Sequence, residues 1–281
     1  PPIQLSLLLL DRLESKPTTS VSDGDLLVTD AARLGLGQSV ARLIFPSGSC
    51  TGFAVTENYL LTNNHCVAGS RRLCDELAIE FNAVSKGEPG NGARCVRLVS
   101  ADALLDYALI EFKPDAPVPA LPIHTGPLAA GRVEYFSIHH AWGQEAIIST
   151  NTHILARADS SVPSQQRVSE ARRLCGLAQR TFANVPLNQF DTTLTHRIDT
   201  DPGSSGAPIL YAGQVVALHF DMDRRLYLAG WSRPASNNFD CLKARGGYAN
   251  WATDACAILR QAAGSLPNDA ALSRLATRCV R

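Results

Sequence analysis

The chain of 281 residues is 45% hydrophobic and 19% charged, with 26 basic residues against 26 acidic ones and a pI near 7.4. So apolar a chain buries a large core and is not disordered. Its balanced charge, without runs of one sign, argues against nucleic acid or an acidic membrane as partner, and no segment reaches the roughly 20 apolar residues of a membrane span.

Residues 1–37 mix leucine-rich pieces with the polar stretch Ser15–Gly24 and read as an N-terminal extension. They lack an initiator Met and a basic leader, so the numbering is expected to start after a removed export signal or at an artificial boundary. From Ser39 the pattern changes to three β-rich runs, 39–45, 50–55 and 59–62, separated by turn residues, which predicts an antiparallel meander. The third run ends in Thr62-Asn-Asn-His-Cys-Val67 and puts His65 where a strand gives way to a turn or short helix. Cys50 and Cys66 bracket this run. A bridge between them would restrict His65 and leave it positioned as a base. Asp102 and Asp106 both have the setting of a turn or capping residue; Asp106 is the better catalytic candidate because it begins the apolar strand 107–112, where burial and fixed hydrogen bonds can hold a carboxylate against an imidazole.

The proline-rich stretch 113–122 suits neither helix nor central strand and is expected to link two halves. Beyond it, runs at 132–139 and 146–156 open a second β-rich series; His139, His140 and Trp142 between them line a site or pack a loop. Residues 157–189 interrupt the strands with a surface-helix pattern over 165–181. Strands return at 192–198 and 214–220, a short last strand is expected at 246–249, and 251–280 read as one or two helices broken near Gly264–Pro267.

Between those returning strands lies Asp199-Thr-Asp-Pro-Gly-Ser-Ser-Gly-Ala-Pro-Ile-Leu210. Ser205 is a candidate nucleophile at the crest of this turn, and Gly203 and Gly206 would allow successive N–H groups to face one concavity, as an oxyanion requires. The same composition is also that of an ordinary linker.

The eight cysteines are Cys50, Cys66, Cys74, Cys95, Cys175, Cys241, Cys256 and Cys279. They form no Cys-x-x-Cys pair and no zinc spacing, so they favour disulfides over metal or free thiols, and hence an oxidising compartment. Beyond Cys50–Cys66, chain proximity and expected neighbourhoods suggest Cys74–Cys95, Cys175–Cys241 and Cys256–Cys279.

His65, Asp106 and Ser205 stand in the chain order His, Asp, Ser. With Thr62-Asn-Asn-His-Cys, Asp106-Tyr-Ala-Leu-Ile and Gly203-Ser-Ser-Gly-Ala-Pro around them, the chain resembles the chymotrypsin-like (trypsin-like) serine peptidases over residues 38–262. Pro202-Gly-Ser-Ser-Gly-Ala-Pro-Ile and Val216-Ala-Leu-His219 look closer to a commonly exported bacterial branch that includes glutamyl and lysyl endopeptidases than to the digestive enzymes. The resemblance implies an all-β fold of two six-stranded Greek-key barrels, 38–122 and 123–250, with the 157–189 helical insertion in the second and a helical segment at 251–281. It further implies catalysis by His65, Asp106 and Ser205 through an acyl-enzyme, an oxyanion hole from the N–H groups of Gly203 and Ser205, and no metal or organic cofactor. Protein or peptide substrates, a secreted or periplasmic location and a monomer follow as expectations. Ser204 stands where digestive enzymes carry the aspartate that pairs with a newly cleaved N-terminus, so that switch is expected to be absent. Thr200 and His219 fall near positions that contact an acidic side chain in glutamyl endopeptidases, whereas Asp199, or Asp221, would select a basic one; the two readings demand opposite charge in one pocket. A non-catalytic or latent binding module on the same fold is the rival reading.

Overall fold

Strand alternation in the first half serves two cores at once, and this decides where the barrel closes. In the computed structural model, which describes residues 35–70, 72–83, 90–128, 133–153, 156–157, 170, 173–175, 192–222 and 250–279, six antiparallel strands form a closed barrel in the order β1-β2-β3-β6-β5-β4. They are β1 (Val40–Phe45), β2 (Gly48–Ala54), β3 (Tyr59–Thr62), β4 (Ala78–Phe81), β5 (Asn91–Asp102) and β6 (Tyr107–Pro114). On β6, Ala108, Ile110 and Phe112 fill the barrel interior with Leu43, Leu60 and Phe81. The alternate residues Tyr107 and Leu109 point the other way, into a core shared with the second half. Two short helices, α1 (Asn64–Val67) and α2 (Leu73–Glu76), follow β3.

The second half is a seven-stranded antiparallel sheet in the order β8-β7-β11-β12-β13-β10-β9. Its strands are β7 (Val133–His139), β8 (Ile147–His153), β9 (Ala156–Arg157), β10 (Thr193–His196), β11 (Pro208–Tyr211), β12 (Gln214–Met222) and β13 (Asn250–Asp254). The seventh strand beyond the expected six is the two-residue β9, paired to β10. Tyr135, Leu194, Ile209, Val216 and Ala252 make its own core. The shared core joins Val40, Phe53 and Leu61 of the barrel to Phe136, Ile138, Leu210 and Leu218 of the sheet. Burying that much apolar side chain between two sheets, at ~25 cal/mol per Å², fixes them against each other.

The proline-rich link crosses between the halves as expected. Leu121 N donates to Ala54 O at 2.8 Å, Val215 N to Pro122 O at 2.8 Å and His124 N to Val215 O at 2.9 Å, so the crossing segment is stitched to both sides. The last strand, by contrast, lies at Asn250–Asp254, four residues later than expected and inside the stretch read as helix; the expected position, 246–249, lies outside the described residues. All five residues of β13 are buried between β10 and β12, and that placement overrides their helical neighbours. Asp254 then caps α3 (Ala255–Ser265) by accepting from Cys256 N and Ala257 N, and α4 (Ala270–Arg278) follows a break at Leu266–Asp269.

Three expected disulfides are formed: Cys50–Cys66, Cys74–Cys95 and Cys256–Cys279, the last pinning α3 to α4. Cys175 is disulfide-bonded as well; its expected partner Cys241 lies outside the described residues. Residues 1–34 and most of the expected 157–189 insertion also lie outside them, while Leu36 packs on the shared core.

Candidate active site

His65 sits on α1, immediately after β3, and Asp106 sits immediately before β6, the strand paired to β3. The pairing brings together two residues 41 apart in sequence. Asp106 Oδ2 lies 2.6 Å from His65 Nδ1, and Asp106 Oδ1 accepts from His65 N at 2.9 Å. A carboxylate only accepts, so the imidazole proton belongs on Nδ1 and Nε2 keeps its lone pair for use as a base. Asp106 adopts φ 48°, a strained conformation for a residue with a Cβ, and Asn63 Nδ2 holds its carbonyl at 2.8 Å. Cys66, next to His65, is bridged to Cys50 on β2, which anchors the imidazole from its other side.

Ser205 lies on the turn before β11. This turn lies so close to the first barrel at one position, and to the segment after β7 at another, that only glycine fits at either. A Cβ on Gly206 (φ +88°) would meet Thr51 O at 2.0 Å, and one on Gly203 (φ +95°) would meet His140 O and Trp142 N at 2.7 Å. The carbonyls of the turn are all taken. Trp142 N donates to Pro202 O, Thr51 Oγ1 to Gly203 O at 2.8 Å, Ala207 N to Ser204 O at 3.0 Å and Thr51 N to Ser205 O at 2.8 Å. Among the described residues the amides of Gly203 and Ser205 make no such internal bond. In a trans peptide the N–H points opposite to the preceding C=O. Anchoring Pro202 O and Ser204 O therefore turns the Gly203 and Ser205 amides the other way.

A cavity of about 360 Å³ is lined by His65, Ser205, Gly203, Thr200, Asp201, His219 and Asp221, together with the Cys50–Cys66 bridge. His65 and Ser205 share it without a hydrogen bond between them, a looseness common before substrate arrives. Of the four specificity candidates, Thr200, His219 and Asp221 line the cavity. Asp199 is exposed and does not; its chain neighbour Asp201 does. Asn250 Nδ2 donates to Thr200 Oγ1 at 2.9 Å, and His219 Nδ1 lies 3.1 Å from His196 Nε2 in a buried histidine pair. Burial, with the neighbouring His65 adding to it, lowers the His219 pKa to about 3. Cys50, His65 and Cys66 are the one group of three potential metal donors among the described residues, but both sulfurs are spent in the disulfide and supply no thiolate.

Ser204 is fully buried. Its hydroxyl accepts from Asp201 N at 3.1 Å and lies 2.8 Å from His139 Nδ1, while His139 Nε2 lies 3.0 Å from Ser149 Oγ. A hydroxyl–imidazole chain thus occupies the place where an aspartate would need a charged partner. The roles of Thr51 and His196 were not legible in sequence, because their partners are distant along the chain; Thr51 is 152 residues from Gly203.

The model of the trypsin-like peptidase domain matches residues 50–218, more than half of the chain. The chain belongs to this family. Among solved structures it is similar to the Rv3671c protease of M. tuberculosis in its active form (TM-score 0.54, 18% identity, 87% of this chain and 86% of that one). The inactive form is as similar (TM-score 0.53, 18% identity, 87% and 95%), so the likeness concerns the fold and not the state of the site. A serine endoprotease from Yersinia pestis gives a TM-score of 0.54 at 11% identity over 84% of this chain and 66% of that one. No curated protein matches the sequence. Peptidase-family membership agrees with the resemblance carried by the three motifs.

The buried histidines set a pH response. Burial lowers His140 to about 4 and His219 to about 3, both below the ordinary 6.5. The unfolded imidazoles take up protons first as pH falls, so this contribution to stability is complete above pH 6.5 and is lost progressively toward pH 3 to 4. At ~1.4 kcal/mol per unit, the two together cost about 4 kcal/mol by about pH 5. Urea unfolding should therefore give a markedly lower free energy near pH 5 than at neutral pH, and an equal value would contradict the neutral, buried state of both rings.

Proposed function

We propose that the protein is a serine endopeptidase. The observation that carries this reading is that His65, paired to Asp106, lines the same cavity as Ser205, beside two amides that make no internal bond among the described residues. Ser205 Oγ attacks the scissile carbonyl carbon as its proton passes to His65 Nε2; Asp106 holds the tautomer and stabilises the imidazolium. The oxyanion is received by the N–H groups of Gly203 and Ser205. The C–N bond breaks with the His65 proton going to the leaving amine, and a water, deprotonated by His65, releases the acyl group and returns the proton to Ser205. The disulfides favour an extracellular or periplasmic setting for this activity.

A basic residue before the cut suits the cavity better than an acidic one. His219 is held neutral and offers no positive charge to a carboxylate, whereas two acidic residues, Asp201 and Asp221, are among those that line the cavity. The competing acidic preference, through Thr200 and His219, rests on hydrogen bonding alone. In a fluorogenic peptide library, arginine or lysine at that position should be preferred to glutamate by about tenfold or more, the factor that ~1.4 kcal/mol of differential binding gives. Preference for glutamate would reverse the assignment.

Ser205→Ala should lower kcat by about 10⁴-fold or more while leaving the thermal unfolding midpoint within a few degrees. Undiminished hydrolysis in that variant would refute the nucleophile. A latent module is the second reading, favoured by the missing Ser205–His65 hydrogen bond; a folded parent that hydrolyses no peptide of the library would support it.

A further inference from the structure

Three side chains of the first barrel stand in one cross-strand row. Glu80 on β4 is the direct partner of Arg42 on β1, and Arg42 is the direct partner of Thr51 on β2. Directly opposed residues on neighbouring strands share a face of the sheet. Arg42 Nε donates to Glu80 Oε2 at 3.0 Å, its Nη2 reaches the same carboxylate oxygen, and its Nη1 donates to Gly143 O at 3.0 Å, 101 residues away. Thr51 Oγ1 accepts from His140 N at 2.9 Å and donates to Gly203 O.

Arg42, at the centre of the row, and Thr51, at one end, thus reach the two sides of one short 3-10 turn, Ala141–Gly143 with His140 before it, which joins β7 to β8 in the second half. That turn is itself closed at each side, with Gly143 N donating to His140 O, Gln144 N to Ala141 O, and the buried His140 Nδ1 lying 2.9 Å from Gln144 O. It contains Trp142 in a left-handed conformation (φ 58°), uncommon for a bulky residue and costing about 1–3 kcal/mol. Surrounding contacts must hold such a residue in place, and the Arg42 bond to the next carbonyl is one of them. Trp142 N is the donor to Pro202 O, the carbonyl whose peptide plane aims the Gly203 amide.

We propose that the row Glu80–Arg42–Thr51 is a positioning platform for the oxyanion amides: Glu80 fixes the Arg42 guanidinium, Arg42 fixes the turn at Gly143, and Trp142 of that turn sets the orientation of the Pro202–Gly203 peptide. Thr51 ties the turn directly to the next carbonyl, Gly203 O. This role rests on the reading of Gly203 and Ser205 as the oxyanion site. None of the three side chains needs to touch the substrate, so they act through the turn on the transition state. Arginine suits the task because its planar fork serves the carboxylate and the carbonyl at once, which a lysine ammonium on a single stem does not.

The test is kinetic, on the fluorogenic peptide that the parent cleaves best. Arg42→Met should lower kcat by about tenfold or more with KM within about twofold, part of the roughly 10²–10³-fold cost of losing an oxyanion donor. Glu80→Gln should fall between Arg42→Met and the parent. Thr51→Val should also lower kcat, and because both residues act on one turn, the double variant should lose less than the product of the two single losses. Arg97→Met, which breaks the Arg97–Glu111 pair on the same barrel, should leave kcat unchanged. Unchanged kcat in folded Arg42→Met, or losses that multiply in the double variant, would overturn the platform while leaving the peptidase reading intact. A parent that cleaves no peptide would overturn the peptidase reading and this role together.

Discussion

The direction of two amides organises this protein. Pro202, Gly203, Ser204 and Ser205 each give a carbonyl to a donor, and the trans peptide leaves the N–H groups of Gly203 and Ser205 facing away from those bonds. Two of the carbonyl bonds come from Thr51 on the first barrel, one from Trp142 in the turn after β7, and one from within the turn itself. The turn that carries Ser205 therefore has its shape only when the two β-structures are packed together, and the shared core through Leu109, Phe136 and Leu218 is what holds them so. Preorganised dipoles of this kind need no rearrangement when charge develops.

The polar interior around the turn is built from hydroxyls and imidazoles. Ser204, His139 and Ser149 form a chain next to Ser205, His196 and His219 pair beside the cavity, and His140 locks the neighbouring turn. In this chain a hydroxyl replaces a carboxylate next to Ser205, so no buried negative charge calls for a counter-ion and the steep desolvation cost of such a pair is avoided. The consequence is a dependence on pH, since His140 and His219 are stable in place only as neutral rings.

Much of this architecture could be read from the chain alone. The runs at 39–45, 50–55 and 59–62 appear as β1, β2 and β3 within a residue or two, because turn residues punctuate them sharply. His65, Asp106 and Ser205 stood out because each lies at a strand boundary with a recognisable motif, and the structure brings His65 and Asp106 into contact and Ser205 into the same cavity. Other features were hidden. The β13 strand escaped because Trp251-Ala-Thr-Asp-Ala-Cys256 carries little β-branched character, and only its two neighbouring strands make it extended. Asp199 drew attention as an acidic residue at a suggestive distance from Ser205, yet it turns outward and Asp201 faces the cavity, a difference of backbone direction that spacing does not encode. The Glu80–Arg42–Thr51 row is a matter of register between strands, and no local pattern announces it.

The most direct test of the account is a crystal structure of the protein after reaction with a fluorophosphonate. The account predicts one adduct, on Ser205 Oγ, with the phosphoryl oxygen within hydrogen-bond distance of both Gly203 N and Ser205 N and the Pro202 carbonyl still bonded to Trp142 N. An unreacted Ser205, or an adduct whose phosphoryl oxygen faces solvent while the Gly203 amide points elsewhere, would contradict it.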